Sequence, residues 1–124
     1  MEFCILLKNP FIHKKGDNML FSFKRENSID ISLNDLEKIQ RINPKCILLD
    51  VRSTQEYKEG HLNNAINIPL YSLKEKNELS FIEKNSLIIV YCQSGTRSKR
   101  AIKILNKKGY NNLYNLKGGL DEIQ

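Results

Sequence analysis

From Ser28 onward, short apolar blocks alternate with apolar residues at helical spacing. Ile29-Asp30-Ile31 alternates as a short strand does. Ser32 then reads as a helix N-cap, with Asp35 in the capping-box slot where Glu or Gln is preferred. Leu33, Leu36, Ile39 and Ile42 keep helical spacing until Asn43-Pro44 stops the run. Cys46-Ile47-Leu48-Leu49 is a continuous apolar block, as expected of a strand buried on both faces. Glu56–Glu59 predicts a short helical turn closed by Gly60, and Ala65–Ile68 a short strand ended by Pro69. A weaker helix is expected over Leu73–Ile82. Leu87–Tyr91 is the strongest buried-strand signal in the chain. Ser98–Lys108 then carries Ala101, Ile102 and Leu105 at helical spacing, with Gly109 just past its end. Leu113–Leu116 is a last strand, followed by Gly118-Gly119.

Strands that alternate with helices predict an α/β fold, with a mostly parallel sheet covered by helices on both faces. In such sheets ligands bind beyond the carboxyl ends of the strands, so the chemistry is sought immediately after each strand. The 124 residues suit one domain. Residues 1–28 read as an N-terminal extension, expected to be poorly ordered, and residues 29–124 as the domain. Lys15-Gly16-Asp17-Asn18-Met19 is encodable as a purine-rich bacterial ribosome-binding site ahead of an ATG. Met19 is therefore the expected start, leaving residues 1–18 untranslated. Glu2 and Lys8 interrupt any secretion signal, and no apolar run approaches the ~20 residues of a membrane span.

The net charge of +6 comes mostly from Lys in a chain also rich in Asn and Ile, a bias that AT-rich codons produce. No basic stripe interleaved with aromatics is visible in the sequence, so no nucleic-acid partner is expected. The three Cys are too few for a disulfide scaffold, which fits a reducing cytoplasm. Cys4, His13, Cys46 and His61 lack zinc-ligand spacing, and no metal is expected.

The best strand runs directly into Cys92-Gln93-Ser94-Gly95-Thr96-Arg97-Ser98 and then a helix. A Cys at a strand end, facing a helix N-terminus, meets unpaired backbone N–H groups and the positive end of the helix dipole. Both favour the thiolate, the nucleophilic form. Gly95 permits a tight curl that turns successive N–H groups inward, and Arg97 adds a fixed charge. The segment reads as an anion-cradling loop with a nucleophile at its base.

Over Ile29–Ile123 the sequence resembles the rhodanese (sulfurtransferase) family. The loop pattern C-x-x-G-x-R-S is matched by Cys92 through Ser98. Upstream lie Asp50-Val51-Arg52, Glu56-Tyr57, Gly60-His61-Leu62 and Asn64-Ala65 through Pro69. Downstream lie Gly109-Tyr110, Asn112-Leu113-Tyr114 and Gly118-Gly119. The resemblance implies a rhodanese-like three-layer fold with a sheet of about five strands. It also implies a Cys92 persulfide formed from thiosulfate or a persulfide donor and discharged to a thiol or cyanide, with no cofactor. A sulfur-carrier protein is a further partner of such domains. The loop residues Gln93, Ser94, Gly95, Thr96, Arg97 and Ser98 would hold the substrate, while Asp50, Arg52, Glu56 and His61 would be structural support. Arg97 has two open roles: orienting an anionic donor, or bracing the loop.

Rival readings are a non-catalytic or regulatory module of the same fold, and a Cys-dependent phosphatase. The spacing weighs against the latter: four residues separate Cys92 from Arg97, whereas phosphatases of this loop type have five. A cysteine hydrolase built on His61 would need an Asn or Asp that the sequence does not single out. The sequence departs from the family after Gly118-Gly119. Where Trp is usual it has Ile123, and a longer terminal helix is missing, so the domain is expected to have a shortened C-terminus.

Overall fold

The computed structural model describes residues 28–75 and 77–123. The expected Met19 start and nearly all of the extension lie outside them. Five strands form one parallel sheet: β1 (Ser28–Ile31), β2 (Ile47–Asp50), β3 (Ile66–Asn67), β4 (Ile88–Tyr91) and β5 (Leu113–Leu116), in the order β1-β5-β4-β2-β3. Among the described residues three α-helices connect them: α1 (Leu33–Ile42), α2 (Thr54–Glu59) and α3 (Thr96–Lys107).

The expected Ser32 capping box is present, with Ser32 Oγ accepting from Asp35 N–H and Asp35 Oδ2 accepting from Ser32 N–H, both at 3.1 Å. Helix α2 begins earlier than the apolar pattern suggests, because Ser53 and Glu56 form a second capping box. Its C-cap is Gly60, at a φ of 153°. Gly109 follows α3 at a φ of 99°, in the left-handed region that closes a helix without a Cβ penalty.

The weak helix expected over Leu73–Ile82 does not form. A short 3-10 turn at Leu70–Ser72 is followed by successive three-residue turns, closed by Glu75 N–H to Ser72 O, Ser80 N–H to Asn77 O and Ile82 N–H to Leu79 O. The reason lies in the pattern: no apolar residue falls one turn after Leu73, so a helix there would have no continuous stripe to bury. The chain instead buries Leu73, Leu79 and Ile82 singly, and the Tyr110 hydroxyl sits 3.1 Å from the Leu79 and Ile82 carbonyls.

The sheet is buried on both faces. One face packs Leu49, Val51, Ile88 and Val90 against Ala101, Ile102 and Leu105 of α3 and against Leu73, Leu79 and Ile82. The other packs Leu48, Ile89, Tyr91 and Tyr114 against Leu36 and Ile39 of α1. Leu120 and Ile123 pack on that second core. The chain thus winds outward over one face through α1 and α2, then returns over the other. The winding reverses beside β4, and the carboxyl end of β4 is where Cys92 stands.

Candidate active site

Cys92 follows Tyr91 at the end of the central strand and is wholly buried. The loop from Gln93 to Gly95 curls back over it, with Gly95 at a φ of 109°. The Gly95 N–H points at Cys92 Sγ at 3.0 Å, and the Ser98 N–H, in the first turn of α3, points at it at 3.3 Å. Two backbone dipoles and a helix N-terminus therefore converge on one sulfur atom. Ser94 and Thr96 form the exposed rim of the loop.

Three sets of contacts fix this loop. Behind it, Ser98 Oγ lies 3.0 Å from the Gly95 carbonyl and 2.7 Å from Asn115 Oδ1, and Asn115 Nδ2 donates to Asp30 Oδ1 at 3.0 Å. A polar chain, buried at Ser98 and Asn115 and reaching the surface at Asp30, thus ties the loop through β5 to the edge strand β1. Below it, the 3-10 turn Gly119–Glu122 donates to the loop backbone: Leu120 N–H to Cys92 O at 3.1 Å, and Asp121 N–H to Gln93 O at 2.9 Å. Beside it, Arg97 and Glu56 form a two-point ion pair at 2.6 and 3.0 Å. The Arg97 guanidinium is thereby joined to the first turn of α2.

Glu56 has two tasks, because its Oε1 also accepts from Ser53 N–H at 2.9 Å. The Arg97 hydrogen bonds, aided by the capping contacts and opposed by burial, hold its carboxyl down at about 2. The same pairing raises Arg97. The folded value lies below the ordinary 4.5, so the pair contributes fully above that range and its contribution is lost as pH falls toward about 2. About a third of each side chain is exposed, so solvent screening keeps the contribution modest. Glu56→Gln is expected to flatten the acid limb of the stability–pH curve over that interval, read by urea titration at stepped pH. An unchanged acid limb would contradict it.

Asp50 and Arg52 form a buried pair after β2. The Arg52 Nε donates to Asp50 Oδ1 at 3.1 Å and Nη2 to Oδ2 at 2.8 Å, and the Arg52 N–H donates to Oδ1 at 2.9 Å. Burial opposes the guanidinium charge, but the hydrogen bonds and charge of Asp50 outweigh it and raise Arg52. Arg52 also reaches the Gly60 carbonyl at 2.6 Å and Gln93 Oε1 at 3.4 Å. Burial and Asp50 together push the Tyr91 phenol up, and its oxygen accepts from Leu62 N–H at 3.1 Å.

His61 is exposed, stacks on Tyr57 with ring centroids 3.7 Å apart, and donates from Nδ1 to the Tyr57 carbonyl at 2.8 Å. Those contacts close the end of α2. Cys46 is half-buried, and burial pushes its thiol up. Among the described residues no cluster of His, Cys, Asp or Glu is placed to hold a metal ion.

Sequence reasoning missed Ser53, Asn115, Gly119 and Asp121 as residues that shape the site. Gly119 carried a signal, the Gly118-Gly119 pair. Asn115, inside an apolar strand, was the polar exception that pointed to a buried partner.

The chain is thus a parallel α/β domain with a buried Cys at the end of its central strand and backbone N–H groups turned on its sulfur. The rhodanese-like domain family model matches residues 32–124, and the chain belongs to that family. It is 40% identical over 75 residues to the thiosulfate sulfurtransferase PspE of Escherichia coli, covering 60% of this chain and 71% of that protein. It is 33% identical over 110 residues to a tRNA uridine(34) hydroxylase of Buchnera aphidicola, covering 84% of this chain but 35% of that protein, so this chain spans about a third of that relative's length. Among solved structures, a rhodanese-like domain protein from Staphylococcus aureus superposes with a TM-score of 0.67 at 25% identity, covering 75% of this chain and 88% of the other.

Proposed function

We propose that the protein is a sulfurtransferase of a reducing, cytoplasmic compartment that carries sulfane sulfur on Cys92. The observation that bears most weight is the pair of backbone N–H groups, from Gly95 and Ser98, aimed at Cys92 Sγ. The Cys92 thiolate attacks the outer sulfur of thiosulfate or a persulfide. The donor's S–S bond breaks, and the donor leaves with the electron pair. The two N–H groups favour the attacking Cys92 thiolate, and the positive N-terminal end of α3 favours the negative charge that the persulfide then carries on its outer sulfur. A thiol or cyanide then removes the outer sulfur and restores the Cys92 thiolate, giving ping-pong kinetics.

Intact mass and peptide mapping test the reading. Treatment with thiosulfate or a small persulfide is expected to add one sulfur atom, on Cys92, which cyanide then removes. Failure of both donors to load Cys92 would overturn it and favour the regulatory module.

Charge around the loop supports a preference among donors. Arg97 is paired with Glu56 and Arg52 with Asp50, while Gln93 Nε2 donates to Asp121 Oδ1 at 2.9 Å. Among the side chains that contact the loop, a dianion therefore meets paired cations and an exposed carboxylate. Asp121→Asn keeps the hydrogen-bond acceptor and removes the charge. It is expected to raise kcat/KM for thiosulfate by roughly two- to fivefold, with a neutral trisulfide donor unaffected. Equal changes for both donors would show that Asp121 acts on loop structure instead.

A further inference from the structure

Helix α3 carries Arg97, Lys99, Arg100, Lys103 and Lys107 without one Asp or Glu. Cations in its first turns oppose the helix dipole, and like charges one turn apart repel. Glu56 offsets Arg97. Among the described residues, those that line the groove on the far side of the helix include no carboxylate. There Arg100, Lys103, Ile104, Lys107 and Lys108 combine with Lys74, from the return segment, to form a groove of about 480 Å³. The Lys108 ammonium donates to the Lys74 carbonyl at 3.3 Å and ties the two walls together. In the sequence Lys74 is far from the others, so this concentration of charge is visible only in the fold.

The placement is as informative as the charge. Thr96, on the rim of the Cys92 loop, and Arg100 are successive residues on one face of α3. A rise of 1.5 Å per residue puts Lys107 about 10 Å beyond Arg100. An extended ligand along the groove would therefore have one end beside the active loop. We propose that the groove docks an acidic segment of a thiol-bearing protein that accepts sulfur from Cys92. The proposal rests on the transfer reading above. In the step it serves, the acceptor thiolate attacks the outer sulfur of the Cys92 persulfide and a new S–S bond forms on the acceptor. The Cys92 S–S bond breaks, Cys92 leaves with the electron pair as a thiolate, and no external oxidant is used.

An acidic polypeptide fits better than a nucleic acid. Among the described residues the lining supplies cations and an aliphatic contact at Ile104 but no aromatic ring, whereas single-stranded nucleic acids are held by cations interleaved with stacking platforms. Opposed charge across such a surface speeds encounter and fixes register.

The test uses a fluorescent synthetic peptide with a terminal Cys and a run of Glu, beside its Gln counterpart. Anisotropy on the unloaded protein is expected to show the acidic peptide binding about tenfold or more tightly at low salt, with the difference fading as salt rises. The triple variant Arg100→Glu/Lys103→Glu/Lys107→Glu is expected to lose that preference. Transfer from loaded Cys92 to neutral 2-mercaptoethanol should stay at the wild-type rate. The double variant Arg100→Gln/Lys107→Gln, milder in case reversal disturbs folding, is expected to show an intermediate loss. Equal binding of the two peptides, or wild-type affinity in the triple variant, would overturn the proposal. So would tighter binding of a single-stranded oligoribonucleotide of matched charge. Because the binding arm needs no loaded sulfur, failure to load Cys92 overturns the transfer reading alone.

Discussion

Gly119→Ala is expected to abolish sulfur loading at Cys92 and to destabilise the protein by roughly 2–5 kcal/mol. Two effects act together. Gly119 has a φ of 62°, where an L side chain is strained. A Cβ there would also overlap the Cys92 carbonyl oxygen and stand 2.7 Å from the Gln93 carbonyl oxygen. Both obstacles are backbone of the active loop, and neither can rotate away. Either the Gly119–Glu122 turn moves off, losing the Leu120 and Asp121 hydrogen bonds to that loop, or the loop moves and the N–H groups leave Sγ. Gly118→Ala is the control. Its Cβ would meet the exposed side chain of Glu122, which can swing out, so the cost reduces to the left-handed backbone, about 1 kcal/mol. Urea midpoints and mass-detected loading of the two variants separate the cases. Loading at wild-type level in Gly119→Ala would refute the bracing role of this turn.

Arg52→Met is expected to cost about 3–5 kcal/mol, more than any change to the Arg97–Glu56 pair. Asp50 has no exposed surface, and the guanidinium is the counter-charge bonded to its carboxylate. Removing the partner strands a buried charge, and the Gly60 carbonyl and Gln93 side chain lose a donor as well. The double variant Asp50→Leu/Arg52→Met is expected to be clearly more stable than Arg52→Met, because removing both charges also removes their desolvation cost. A double-mutant cycle in urea measures this coupling directly. Additive losses would mean that the pair holds no coupling energy and that Arg52 matters through its other contacts.

The elements of this protein were legible because their signals are local. The apolar blocks at Cys46–Leu49 and Leu87–Tyr91, the Ser32 cap and the Gly109 terminator each act within a few residues, so alternation and a parallel sheet followed from them. Cys92 was legible for the same reason, since strand, loop and helix N-terminus are contiguous. The segment from Leu73 to Ile82 was misread because its three core residues answer to Tyr110 and α3, not to one another.

What the tertiary structure alone decided are the pairings between residues distant in sequence. Arg97 meets Glu56 across 41 positions, Asn115 joins Asp30 to Ser98, and Lys74 closes a cationic groove against α3. The sequence by itself determined that Cys92 stands between a strand end and a helix N-terminus, where backbone N–H groups turn toward its sulfur, because backbone geometry over a few residues dictates that placement. Whether a nearby charge is spent on a partner or left for a ligand is a different matter. It depends on which side chains the sheet order brings within a few ångströms, and no local pattern encodes that distance.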